Sequence, residues 1–235
     1  YNIVFIQQIV LDSIGKYALI MEMFCGKRGM MTHILLTGFT PFPGVDLNPT
    51  ALLVQDFAAQ PPAGIHLSTE VLPTAFAPAG VRIRQLIAQH QPEAVLMLGV
   101  AANRDSINLE RTGYNWDEAS KPDIHGVSRA GQPIRAGGPE QYHSTLPFEA
   151  MYAALIAAGI AVTYSDDPGR YVCNHVLYHA GDMLAESATP YGFIHVPALK
   201  AAPESPGMAY AQMREAIRIC PSVLQEDRMR TSVHF

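Results

Sequence analysis

Tyr171-Val172-Cys173-Asn174-His175-Val176-Leu177-Tyr178, with Gly192-Phe193-Ile194-His195-Val196-Pro197 further on, reads as a helix start leading to a short buried strand. The same alternation of short apolar runs with helical patterns recurs along the chain. It predicts an α/β domain with a largely parallel sheet. Strands are expected over residues 33–38, 65–72, 94–99, 160–165 and 192–196, with a longer alternating one over 107–116. Helices are expected over 49–58, 77–90, 147–158, 171–186 and 206–220. Asn48 caps the first of these and Pro49 takes its first position. Between 118 and 145 the pattern gives way to Gly, Pro, Asp and Ser, a long stretch of loop character. In such sheets ligands collect at the carboxyl ends of the strands, where Gly38-Phe39, Gly99-Val100, Asp166-Asp167 and His195 fall.

The first two stretches also carry chemistry. A thiol attacks as its anion, and a helix N-terminus offers unpaired N–H groups and partial positive charge to that anion. A histidine takes the proton and returns it to a leaving group. Cys173 and His195 therefore suit a cysteine hydrolase, although a buried core cysteine and a satisfied core histidine have the same spacing. His175 and His179 follow Cys173 by two and six positions on one helix and are poorly placed to face it. They read as packing or surface residues. Asp166 or Asp167 is conceivable as a third member, but a carboxylate beside the thiol would disfavour its anion. Both suit the turn closed by Gly169.

At 235 residues, 49% hydrophobic and 16% charged, the chain is ordinary globular material, able to bury one core. Its net charge of −5 and lack of a basic cluster argue against nucleic acid or an anionic membrane as partner. The three cysteines, Cys25, Cys173 and Cys220, form no metal-binding spacing and no disulfide framework. No metal or cofactor is expected, and a reducing cytoplasm suits the thiols best.

Four blocks, in order, resemble pyroglutamyl peptidase I, the pyrrolidone-carboxylate peptidase family of cysteine exopeptidases. They are Thr37-Gly38-Phe39-Thr40-Pro41-Phe42 with Asn48-Pro49; Leu98-Gly99-Val100-Ala101 with Arg104, Ile107 and Leu109-Glu110-Arg111; Val172-Cys173-Asn174-His175; and Gly192 to Pro197. The resemblance implies a single-domain α/β/α sandwich with a mostly parallel mixed sheet, similar to nucleoside phosphorylases, and a homotetramer. It implies a thiol peptidase that releases an N-terminal pyroglutamyl residue from peptides. Cys173 would be the nucleophile, His195 the base and acid, and Glu110 the acid that orients the histidine. An ion pair of Glu110 with Arg104 or Arg111 is the alternative role, compatible with the first. Phe39 and Phe42 would sandwich the lactam ring, and Asn48 would join the substrate site.

Two departures stand out. Pro43-Gly44 replaces the family's usual Gly-Gly. Ser120, in Ala119-Ser120-Lys121-Pro122, stands where the family has an arginine, so that charge is lost or passes to Lys121. A phosphorylase-like enzyme on the same fold, or an impaired pyroglutamyl-peptide binder, is the rival reading.

The peptidase domain is expected over 31–220 and a frayed tail over 221–235. Residues 1–30 lie ahead of the family blocks. They lack a membrane-length apolar run and a signal-peptide pattern. They read as an extension ahead of a natural start at Met30 or Met31, or else as an extra helix on the domain.

Overall fold

The computed structural model describes residues 31–232 apart from 43, 203 and 204. The expected extension over 1–30, with Cys25, lies outside them, as does Pro43.

Ten strands and five helices occur among the described residues. The first strand, β1 (Thr32–Phe39), leads through Asn48 into α1 (Pro49–Ala59), where the Asn48 side chain accepts a hydrogen bond from Thr50 N and Pro49 stands at the helix start. Then come β2 (Ile65–Leu72), α2 (Phe76–His90) and β3 (Ala94–Val100). Three short strands follow, β4 (Ile107–Glu110), β5 (Thr112–Tyr114) and β6 (Asp117–Glu118), then β7 (Ala130–Gln132) and β8 (Gln141–His143). The chain continues with α3 (Phe148–Ala157), β9 (Val162–Ser165), α4 (Val172–Leu184), β10 (Tyr191–Val196) and α5 (Tyr210–Ser232).

The main sheet has the order β2-β1-β3-β10-β4-β9, mixed and mostly parallel. All its pairings are parallel except that of β10 with β4. Alternate residues of each strand face opposite sides. Ile34, Leu36, Leu96, Leu98, Ile194 and Val196 pack with α1, α3 and α5 in one core cluster. Leu35, Val95, Met97 and Phe193 pack with α2 and α4 in another. The result is the expected α/β/α sandwich, and His195 lies on the α4 side.

Three local expectations are corrected. The long strand over 107–116 breaks after Glu110. Arg111 N still donates to Ser165 O at 2.7 Å, but β9 ends there and the chain leaves the sheet. The Asn174 side chain takes over as backbone partner, accepting from Tyr114 N and donating to Tyr114 O and Trp116 O. Ile107 and Leu109 alternate before the break and Tyr114 and Trp116 after it, so the two pieces read as one strand although the apolar phase shifts between them.

The stretch 118–145 is not structureless. β5 pairs with β8, and β6 with β7, in two small ribbons. Buried Asp123 anchors this stretch by accepting from the N–H groups of Phe76, His125 and Val127. Burial alone would raise its pKa, but the three backbone donors outweigh that and hold it below the usual value.

The last helix runs through Pro221 to Ser232, so the tail expected to fray is helix as far as Ser232, and residues 233–235 lie outside the described residues. An interior proline costs about 3 kcal/mol. Docking offsets it, because Leu224 is buried, Gln225 Nε2 donates to Gly64 O, and Arg228 holds Glu93 through both its carbonyl and its carboxylate. Leu224→Ala should therefore lower unfolding free energy by about 2–4 kcal/mol in urea titration. A loss within about 0.5 kcal/mol would mean that the last two turns are not docked.

Candidate active site

The turn Asp166-Asp167-Pro168-Gly169 delivers the chain to α4. Gly169 has φ +77°, which glycine adopts freely, and its N–H donates to Asp167 Oδ1 at 3.1 Å. Tyr171 is the N-cap, with extended backbone and no side-chain cap. The first intrahelical bond is His175 N to Tyr171 O, so the N–H groups of Val172, Cys173 and Asn174 have no helical partner. Cys173 thus sits where an anion at its sulfur meets unpaired donors and the positive end of the helix dipole.

β4 runs antiparallel beside β10 and sets Glu110 opposite Phe193, diagonal to His195 on the same face. His195 Nδ1–H donates to Glu110 Oε1 at 2.8 Å, both residues being buried. With Nδ1 occupied, Nε2 is the ring nitrogen left to serve Cys173. Gly99, at the end of β3, gives the thiol its room. A Cβ there would lie 2.7 Å from the Phe193 ring and 3.0 Å from Cys173 Sγ.

Glu110 Oε1 also accepts from Arg104 Nη1 at 2.7 Å, and Arg104 Nη2 reaches Asp167 O at 2.8 Å. The carboxylate therefore joins the histidine and an ion pair at once, as the sequence allowed. Arg111 turns instead to Asp166, and Asp167 pairs with Arg170. The two aspartates belong to the turn, and their carboxylates make no bond to Glu110 or His195 among the described residues.

Burial would raise the Glu110 pKa, but the His195 bond and charge, with help from Ser165 and Arg104, hold it below the ordinary range. Burial would likewise lower His195. The charge and hydrogen bond of Cys173, then those of Glu110, outweigh this and push the imidazole up to about 9.

A pocket of about 470 Å³ opens onto Cys173 and His195, with Glu110 buried behind them. Phe39, Phe42 and Asn48 all line it, together with Tyr171, Thr74 and Lys121. Phe39 is buried against Phe193, ring centroids 6.3 Å apart, whereas Phe42 is half-buried and faces Tyr171 at 6.2 Å. Asn48 is occupied in the fold: Oδ1 accepts from Thr50 N and Thr50 Oγ1, and Nδ2 donates to Thr40 O at 3.1 Å. One Nδ2 hydrogen is left for a ligand. Among the described residues no group of His, Cys, Asp and Glu is arranged to hold a metal ion.

Neighbouring residues support the helix. His175 is buried and donates from Nδ1 to Asp117 Oδ2 at 2.7 Å, tying α4 to β6. His179 is pushed down to about 4 by burial, then by His175 and Arg84. Both face Gly80 of α2, where a Cβ would lie within 2.7 Å of either ring. These are packing residues, as their spacing suggested. The Tyr171 wall and the Gly99 clearance were not legible as such, because an aromatic N-cap and a strand-end glycine each have many uses.

A family model described as Pyroglutamyl peptidase matches residues 32–226. The chain belongs to the pyroglutamyl peptidase family. It is 39% identical to the pyrrolidone-carboxylate peptidase of Streptomyces coelicolor over 170 residues, covering 71% of this chain and 78% of that one. To that of Gloeobacter violaceus it is 37% identical over 204 residues, covering 86% and 99%. The crystal structure of pyroglutamyl peptidase I from Bacillus amyloliquefaciens superposes with a TM-score of 0.79 at 29% identity, covering 83% of this chain and 96% of that one. A mutant pyrrolidone carboxyl peptidase from Pyrococcus furiosus gives 0.77 at 29%, covering 83% and 99%.

The raised imidazole can be tested directly. NMR titration should show His195 keeping its proton through neutrality and losing it near pH 9. Because Glu110 favours the charged ring, Glu110→Gln should move that midpoint to lower pH. A midpoint at or below the ordinary value of about 6.5 in the unmodified protein would contradict the network.

Proposed function

We propose that this chain hydrolyses the amide bond after an N-terminal pyroglutamyl residue, with Cys173 as nucleophile, His195 as proton carrier and Glu110 as its orienting acid. One observation carries the reading. In a member of this family, a buried Glu110–His195 pair meets a helix-start thiol at the wall of an aromatic-lined pocket.

The geometry supports the following steps. Cys173 Sγ attacks the pyroglutamyl carbonyl carbon, and the oxygen takes up negative charge facing the unpaired N–H groups at the start of α4. A donor of this kind is worth about 10²–10³ in rate. His195, charged at neutral pH, gives its Nε2 proton to the departing amine as the C–N bond breaks. A water then attacks the thioester, His195 takes its proton, and the thiolate leaves with pyroglutamate free. Throughout, Glu110 holds Nδ1 and stabilises the imidazolium. Phe39, Phe42 and Tyr171 supply flat apolar walls for the lactam ring, and the spare Asn48 hydrogen is available to its carbonyl.

The assembly proposed is a homotetramer, as the resemblance implies, with exposed Trp116, Ile124 and Val127 available to an interface. The compartment proposed is the cytoplasm, where a free catalytic thiol stays reduced. No described helix is long and apolar enough to cross a membrane.

A chromogenic pyroglutamyl amide should be hydrolysed without phosphate, and iodoacetamide should stop the reaction. Cys173→Ala should abolish turnover while stability shifts by no more than about 1–2 kcal/mol. Cys220 is fully buried, and burial raises its pKa to about 12, so Cys220→Ala should keep most activity. Appreciable turnover by Cys173→Ala would sink the mechanism.

A further inference from the structure

Beside the pocket lies a second hollow of about 260 Å³. The two share Phe42, Lys121 and Tyr171, while Glu118, Ser120 and Arg170 line only the second. Cys173 and His195 line only the first. A peptide whose terminal ring fills the pocket must send its next residue out past Cys173. Successive Cα atoms are about 3.8 Å apart, so that residue comes to rest at the rim of the pocket. The adjoining hollow continues from that rim, and Lys121 stands on the shared wall.

Lys121 differs from the other cations that line the two hollows. Arg104 is held by Glu110 and Asp167 O, and Arg170 by Asp167 Oδ1 and Gly169 O. Lys121 is exposed and makes no hydrogen bond or ion pair among the described residues. Its ammonium lies near the mouth loop, 3.8 Å from where a Cβ on Gly44 would stand. Glu118, lining only the outer hollow, already accepts from Trp116 Nε1 at 3.1 Å. An unpaired ammonium thus stands at the junction beside the path of a departing peptide, while the other charges of the pocket wall, Arg104 and Asp167, are already paired.

We propose that Lys121 is a specificity-determining residue that favours substrates bearing a carboxylate on the residue after the scissile bond. That carboxylate is either the free C-terminus of a pyroglutamyl dipeptide or an acidic side chain. The proposal rests on the peptidase reading above and adds a substrate class to it. A partly exposed charge-assisted contact of this kind gives about a three- to tenfold preference, weakened by salt.

The test compares kcat/KM at low salt for two isosteric pairs. Pyroglutamyl-alanine against its amide probes the C-terminal source. Pyroglutamyl-glutamate amide against pyroglutamyl-glutamine amide probes the side-chain source. At least one pair should show the three- to tenfold ratio. Lys121→Gln should bring that ratio to near one, and Lys121→Arg should retain it. A merely structural lysine would depress all four substrates in proportion and leave the ratio intact, which would overturn the proposal. A ratio of one in the unmodified enzyme would also overturn it. The same pairs are compared by calorimetric Kd on Cys173→Ala, with and without Lys121→Gln. If none of the four is cleaved, the peptidase reading fails. The Kd ratio still decides the role of Lys121: a preference lost with the lysine supports it, and equal affinities refute it.

Discussion

The hydrogen bond between Glu110 and His195 is the constraint on which the rest of the site depends. A carboxylate with no solvent exposure is costly to bury alone, and removing one partner of such a pair typically costs about 3–5 kcal/mol. In this site Oε1 is shared by an imidazole and a guanidinium, so the charge is compensated twice. The geometry comes from β4, whose antiparallel pairing with β10 sets Glu110 diagonal to His195. Fixing Nδ1 fixes which nitrogen faces the thiol. The proton chemistry proposed at Cys173 would thus follow from the direction of one short strand.

The sulfur must also be held in place. Asn174, one position after Cys173, binds the β5–β6 backbone, and His175, one further on, binds Asp117. Gly80 lets α2 approach the two histidines closely, and Gly99 leaves space beneath the sulfur. Asp123 then ties the following loop to the start of α2. Each contact is local, yet together they hold the first turn of α4 against the sheet, where errors near 1 Å lower rates about a hundredfold. The loop over 117–130 therefore does two jobs, bracing the helix from behind and presenting Lys121 at the pocket mouth.

Much of this was legible in the residues. Strands such as Ile65–Leu72 and the Asn48–Pro49 helix start follow from local chemistry, and the structure places them as expected. The four family blocks meet around one pocket. What was not legible depends on contacts between distant residues. The break after Glu110 depends on Asn174, 60 positions beyond Tyr114, acting as a substitute strand. The ribbons over 130–143 are too short for periodicity to reveal. The continuation of α5 through Pro221 is decided by Leu224 and by Arg228 on Glu93, which outweigh a strong local stop signal. The role of Asn48 was only half visible, since its cap was readable but the filling of its oxygen by Thr50 was not.

At the centre stands the claim that Glu110 and His195 act as one unit on Cys173. The most direct measurement is a double-mutant cycle on kcat/KM with His195→Ala, Glu110→Gln and their combination. Groups acting as a unit lose activity non-additively. The single histidine loss should therefore be nearly as large as the double loss. If the two single losses instead multiply, Glu110 serves Arg104 and the fold rather than the histidine, and the claim of a single unit is contradicted.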